Sequence, residues 1–400
     1  MAYAVALPPA KPTEPRAARV FADARSPASP RDDFSREVYC VLGIPIDALD
    51  MPMLLRTVED AVGNNTPLLI STANLNFLIT SQLDPEFRET LLLSELCPAD
   101  GIAIVWIARL MGLPIGSRVA GSDMLEILAH EQRSARPLTV FLFGGADGVA
   151  EAAAKNLNRG SGGLRCVGTL NPGFGTVEDM SQDHIIDKIN ASGAGFLIAA
   201  LGAKKGQSWL ARNHDRLQIP IRAHLGASIN FAAGTVRRAP AGVRKLGLEW
   251  LWRIKEEPYL WRRYWNDGAT VLGLLLTCVL PLLVRARWQR LRGGGHQDLV
   301  IECERDHKSV TLALCGAATT RNVDKATAAF RAAAAAKMTI RINLSGVSVI
   351  DARFLGLLLM LRKRARKHGN DMKFIDVPAR LQRIFRLNRV GFLLALDEAA

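Results

Sequence analysis

The chain lacks paired cysteines. Its six, Cys40, Cys97, Cys166, Cys278, Cys303 and Cys315, show no C-x-x-C spacing, which excludes a zinc ribbon and a disulfide scaffold and fits a reducing compartment. No D-x-D occurs in the 400 residues, so the acidic pair that often holds a divalent metal on a nucleotide diphosphate is missing. Neither a metal nor a cofactor is expected. There is no G-x-G-x-x-G, and the N-terminus has no basic-then-apolar signal pattern. Residues 1–34 instead carry Pro8, Pro9, Pro12, Pro15, Pro27 and Pro30, and residues 1–36 read as a disordered leader. Aromatics make up only 6% of the chain. Negative charge is in deficit: Lys+Arg 51 against Asp+Glu 38 leaves +13, pointing to nucleic acid, an anionic membrane or phosphate-bearing ligands. A hydrophobic content of 49% rules out disorder throughout and allows two or three ordinary cores.

From about Glu37, short apolar runs alternate with amphipathic ones. Candidate buried strands are Val38–Leu42, Pro67–Ser71, Thr139–Gly144, Leu164–Thr169 and Gly195–Leu201. Helical stretches include Met51–Gly63, Pro85–Leu96, Ile102–Met111, Ser122–Ser134 and Asp147–Arg159. This alternation predicts an α/β domain on a parallel sheet, with ligands at the carboxyl ends of its strands.

Polar residues stand where those strands should end. Asp100, in Pro98-Ala99-Asp100-Gly101, reads equally as a helix N-cap or as an acid/base group, and Asp123 reads first as a cap. Thr72 and Asn74 are turn formers or sugar-hydroxyl ligands. Phe143-Gly144-Gly145, running into a helix, is a weak diphosphate signal.

In order along the chain, T-x-N (Thr72, Asn74), A-D-G (Ala99–Gly101), R-V-A-G-S-D (Arg118–Asp123), F-G-G (Phe143–Gly145), G-A-S-I-N-F-A-A-G (Gly226–Gly234), R-A-P (Arg238–Pro240) and G-L-E-W-L-W-R resemble the WecG/TagA/CpsF glycosyltransferases over residues 37–265. The resemblance implies a Rossmann-like parallel-sheet domain, here 37–236. It also implies inverting, metal-independent transfer of an N-acetylmannosamine-type sugar or glucose from a UDP-sugar to a polyprenyl-diphosphate-linked saccharide, in cell-surface or exported polysaccharide biosynthesis. It makes Asp100 the general base and places Thr72, Asn74, Arg118, Gly144, Gly145 and Gln207 among the substrate-binding residues. Arg238, Arg253, Arg262 and Arg263 would neutralise diphosphate. Where the family reads G-x-P-[KR]-Q-E-x-[WF], this chain has Gly202-Ala203-Lys204-Lys205-Gly206-Gln207-Ser208-Trp209. The alternative is therefore a catalytically weakened membrane scaffold.

Residues 237–292 hold twelve Lys and Arg against four Asp and Glu, a net +8, with five of the seven tryptophans and the apolar run Ala269–Val284. One reading is a solvated helix pair packed by its aromatics; the other is a basic membrane-interface appendage on an anionic surface. Nucleic acid is not expected, since no helix-turn-helix, RNA-recognition or zinc signature accompanies the charge. The run is short for a span, contains Pro281 and has Arg-rich flanks, which favours an interfacial or re-entrant hairpin, peripheral or monotopic at the cytoplasmic face of the inner membrane.

Gly293–Gly295 read as a linker. Residues 298–400 then alternate strands and helices, and Asn343–Gly356, N-L-S-G-V-S-V-I-D-A-R-F-L-G, resemble the STAS fold, a second small α/β domain. The serine that accepts phosphate in such domains is Ala352 here, followed by Arg353, so the kinase switch is lost. What remains is a module for a protein partner or a structural cap on the transferase.

Overall fold

The computed structural model describes residues 32–133, 136–160, 162–245, 247–258, 261–291 and 297–394. Most of the expected leader and the Gly293–Gly295 linker lie outside the described residues. Strand β1 (Val38–Val41) pairs antiparallel with β2 (Ile44–Asp47) in a separate hairpin. The sequence places β1 in the main sheet, and that is a miss: an apolar run marks burial but not the strand's partner.

The main sheet is parallel, in the order β3 (Leu68–Ile70), β7 (Ile221–His224), β6 (Phe196–Ala200), β4 (Leu138–Gly144), β5 (Leu164–Leu170). Helices α1 (Met51–Gly63), α2 (Leu75–Leu83), α3 (Pro85–Leu93), α4 (Ile102–Leu110), α5 (Gly121–His130), α6 (Val149–Arg159), α7 (Asp183–Ala191), α8 (Ala203–Arg212) and α9 (Gly226–Ala233) connect and cover these strands. Apolar strands buried on both faces are the mark of such sheets. Core side chains include Phe141, Phe143, Phe196 and Trp209, with Phe143 stacked on Trp209 at 4.2 Å between ring centroids.

The appendage begins with α10 (Ala241–Lys245) and α11 (Glu249–Glu256). A single helical rod follows: α12 (Trp261–Leu274), a π-turn at Leu275–Val279, then α13 (Leu280–Leu291). This corrects the expected hairpin. Pro281 has no N–H to give residue 277, and the wider π-turn just before it absorbs the missing bond without ending the helix. Leu274, Cys278 and Val279 are buried in one cluster with Phe77, Ile104 and Ala108, while Leu272, Leu276, Leu280 and Val284 are exposed.

The second domain has the sheet β11-β10-β9-β8, built from β8 (Val300–Arg305), β9 (Ser309–Ala318), β10 (Thr339–Ile350) and β11 (Met372–Ile375), with only the β8–β9 pair antiparallel. Its helices are α14 (Val323–Ala335), α15 (Ala352–Lys367) and α16 (Ala379–Leu387). Asp351 caps α15 by accepting from Phe354 N at 2.9 Å, and its other oxygen accepts from Thr320 N at 2.7 Å.

Helix α15 is buried almost all round because two bodies cover it. One side lies on its own sheet; the other meets β1, with Val38, Cys40 and Leu92 in the same core cluster. Arg353 donates to Val38 O at 3.1 Å and to Arg36 O at 3.2 Å. The leader was expected to run to residue 36, yet Asp33, Phe34 and Arg36 are buried in this interface. Arg36 pairs with Asp47 at 2.8 Å and Asp33 at 3.0 Å, and Lys363 of α15 reaches the same Asp33 at 2.7 Å. Burial opposes the Arg36 charge, but Asp47 and Asp33 outweigh it and raise its pKa.

A Cβ on Gly356 would sit 2.1 Å from Val38 O, a backbone atom that cannot turn aside. Gly356→Ala is therefore expected to cost about 1–3 kcal/mol and to split one cooperative unfolding transition into two. Calorimetry checks this; a single unchanged transition would contradict the tight interface.

Candidate active site

The site forms where three segments run side by side past the carboxyl end of β3. Ala73 and Ala99 make a parallel bridge, with Ala73 N donating to Pro98 O at 3.0 Å and Asp100 N to Ala73 O at 2.8 Å. Val119 N donates to Ala99 O at 2.8 Å. This ladder brings T-x-N, A-D-G and R-V-A-G-S-D together at the ends of the sheet.

Asp100 is not the cap of α4. That position belongs to Gly101, at φ +108°, which offers no side-chain bond. The Asp100 carboxylate instead accepts from Gly121 N at 3.3 Å, at the start of α5. Burial pushes this carboxyl up to about 6, against the pull of Arg118 and the Gly121 N–H, and the charges of Glu249 and Asp123 push the same way as burial. Arg118 does not neutralise it, because its two ends are held by Asp123 at 2.6 Å and Glu249 at 2.7 Å.

Thr72 is buried against Gly121, where a Cβ would meet Thr72 Cγ2 at 3.1 Å and Leu225 Cδ2 at 2.3 Å. Glycine is thus the residue that lets α5 start this close to Thr72 and Asp100. Asn74 caps α2, accepting from Phe77 N at 3.1 Å, so its oxygen already has a structural partner. Asp123 has left its expected capping role: it lies in the first turn of α5 and gathers Arg118, Arg238 and Arg244.

Arg238 also bonds Glu126 and Ser122. Arg244 pairs with Glu126 at 2.9 Å and Asp123 at 3.1 Å. Arg118, Asp123 and Arg244 line an open cleft of about 410 Å³ with Ile102, Val105, Arg109, Gly116 and Gly247. Sequence reasoning missed Arg244 and Glu126 and gave Glu249 no role, although Glu249 stands inside the G-L-E-W motif.

The other expected ligands are more scattered. Gly144 and Gly145, at φ +89° and +97°, turn the chain at the end of β4, and the Gly145 N–H is spent on Ala200 O at 2.9 Å. Gln207 is fully buried in α8, its Oε1 accepting from Ser71 Oγ at 3.0 Å, so it faces the core rather than the cleft. Lys204 pairs with Asp84 at 2.6 Å on the surface. Gly206 makes room for His224, whose Cδ2 would lie 2.2 Å from a Cβ there; burial pushes that imidazole down to about 4. Arg253 pairs with Glu257 at 2.8 Å. Arg262, 5.7 Å from the Trp261 ring centre, and Arg263, 3.8 Å from Asp267, are exposed on the first turn of α12. The structure does not bring these three arginines to Asp100.

A parallel α/β sheet with a raised-pKa carboxylate and an arginine-lined cleft at its strand ends has the architecture of a group-transfer enzyme. Residues 39–283 match the glycosyl transferase WecG/TagA/CpsF family, and residues 301–395 match the STAS domain described as Mlab. The chain belongs to that glycosyltransferase family and carries a STAS domain behind it. Among similar proteins is the N-acetylglucosaminyldiphosphoundecaprenol N-acetyl-beta-D-mannosaminyltransferase of Bacillus spizizenii, 28% identical over 53% of this chain and 80% of the relative. Enzymes of the same name from Staphylococcus aureus, 22% identical over 56% and 85%, and Bacillus subtilis, 24% identical over 52% and 78%, are also similar.

The raised Asp100 pKa has a signed consequence for stability. A carboxyl whose folded pKa exceeds its unfolded value destabilises the fold once ionised, so stability falls as pH rises from about 4 through 6. Asp100→Asn is expected to stabilise the protein at pH 8 by up to about 3 kcal/mol, with the gain shrinking toward pH 4. Urea unfolding at both pH values checks this; an equal difference at the two would refute the raised pKa.

Proposed function

We propose that the protein transfers a sugar, with inversion, from a UDP-sugar to a polyprenyl-diphosphate-linked saccharide at the cytoplasmic face of the inner membrane. The observation that carries this reading is Asp100, half-buried with its pKa near 6, at the junction of the three strand-end segments. Asp100 takes the proton from the acceptor hydroxyl as that oxygen bonds to the anomeric carbon. The bond from that carbon to the diphosphate breaks, and its electron pair leaves on UDP. Arg118 and Arg244 line the cleft and reach the phosphates by exchanging their carboxylate partners Asp123, Glu249 and Glu126 for phosphate oxygens. The names of the relatives support N-acetylmannosamine as donor sugar and N-acetylglucosaminyl-diphosphoundecaprenol as acceptor.

The rod of α12 and α13 fits an in-plane membrane element. Within it Trp261–Trp288, 28 residues, extend about 42 Å at 1.5 Å per residue. Contacts with α2, α4 and α16 hold the rod along the protein body, and its outer face shows Leu272, Leu276, Leu280 and Val284. Trp250, Trp261 and Trp265 are exposed on the same appendage, and neighbouring α4 exposes Trp106 and Leu110. Apolar residues flanked by tryptophan and arginine favour the bilayer interface.

The scaffold alternative is less well supported. Lys204 pairs with Asp84, Gln207 Oε1 accepts from Ser71, and one face of α15 is already covered by β1.

Incubation with a panel of labelled UDP-sugars and polyprenyl-diphosphate-linked N-acetylglucosamine tests the reading. Transfer with one donor, lowered about 10²–10⁴-fold in Asp100→Asn, is expected; no transfer with any donor would refute it. Leu276→Asp/Leu280→Asp is expected to abolish co-sedimentation with neutral vesicles while leaving far-ultraviolet circular dichroism unchanged. Retained co-sedimentation would refute the membrane face.

A further inference from the structure

The rod packs on α16 of the STAS domain through its π-turn and α13, and past Val284 its exposed apolar stripe ends. Arg285 lies on α13, and Arg380 and Arg383 lie on α16, the two helices being in contact. Several other arginines of the appendage have acidic partners: Arg238 and Arg244 have Asp123 and Glu126, Arg253 has Glu257, and Arg263 has Asp267. This group has none among the described residues. Burial and then the charges of Arg383 and Arg380 lower the Arg285 pKa, and no carboxylate acts in the other direction. Arg285 Nε is buried with no hydrogen-bond partner. Arg380 spends one N–H on Val347 O at 2.8 Å, and Arg383 is exposed.

Like charges gathered from two elements repel one another unless an anion sits among them. Guanidinium groups bind phosphate through paired N–H donors. The cluster follows directly on the exposed Leu272, Leu276, Leu280 and Val284 stripe, so a rod lying in a bilayer interface brings it to the level of the lipid headgroups.

We propose that Arg285, Arg380 and Arg383 form a binding site for the phosphate of an anionic lipid headgroup, built jointly by the appendage and the STAS domain. The STAS domain thereby takes part in membrane binding. This rests on the in-plane membrane reading above.

The full chain is sedimented with vesicles of phosphatidylcholine alone or mixed with phosphatidylglycerol. The double variant Arg285→Gln/Arg383→Gln leaves Arg380 and its bond to Val347 in place. Each arginine near an anionic surface contributes about fivefold in partitioning. The variant is therefore expected to lose more than tenfold on the mixed vesicles and to match the unmodified chain on phosphatidylcholine. Arg364→Gln/Lys367→Gln, which removes the same charge from α15, is expected to lose much less. An equal loss in both double variants, or no loss in the first, would overturn the site while leaving the membrane reading intact. Failure of the unmodified chain to bind either vesicle would overturn both. Stabilisation by millimolar inorganic phosphate that needs Arg285 and Arg383, with no response to phosphatidylglycerol, would overturn the lipid assignment.

Discussion

The proposed sugar transfer depends on one carboxylate that is kept close to an arginine but not neutralised by it. Arg118 has its two ends engaged by Asp123 and Glu249, so Asp100 receives its field without a direct ion pair. A salt-bridged Asp100 would be too weak a base to take a proton from a sugar hydroxyl. Burial raises its proton affinity against the pull of Arg118, at a cost in stability. The ladder through Ala73, Ala99 and Val119 and the bond from Gly121 N hold the carboxylate at the start of α5.

The same body carries its second domain as a fixed part. Asp33, shared between Arg36 and Lys363, and Arg353, donating to the backbone of β1, leave few buried charges in the interface without partners. Removing one member would strand the others in a low-dielectric interior, which makes such networks costly to open. From this interface a polar path runs inward: Lys363 also donates to Ser94 O at 3.0 Å, Ser94 Oγ lies 2.6 Å from Ser71 Oγ, and Ser71 meets Gln207. Within the altered turn Gln207 is thus buried on the side facing the STAS domain, while Lys204 stays on the surface.

Much of this was legible in the sequence where local pattern decides. Met51–Gly63 folds as its periodicity predicts, because one of its faces is apolar at helical spacing. Strand β7 was missed because Arg222 and His224 interrupt its apolar pattern; Arg222 is buried with its donors on Ile219 O and Leu217 O. The Asp100 motif was visible, but its distinction from a cap required the Gly101 backbone conformation. Arg353 looked only like the loss of a phosphate acceptor, since its partner Val38 lies 315 positions away. The diphosphate role of Arg262 and Arg263 is what the family resemblance implies, and both lie exposed on α12.

The pH dependence of kcat/KM for sugar transfer tests the central claim most directly. With Asp100 as base, the rate is expected to fall below an apparent pKa near 6 and to level off above it. Asp100→Asn should lower the rate at every pH and remove that inflection. An inflection near 6 that survives in Asp100→Asn would contradict the account, because the titrating base would then be another group.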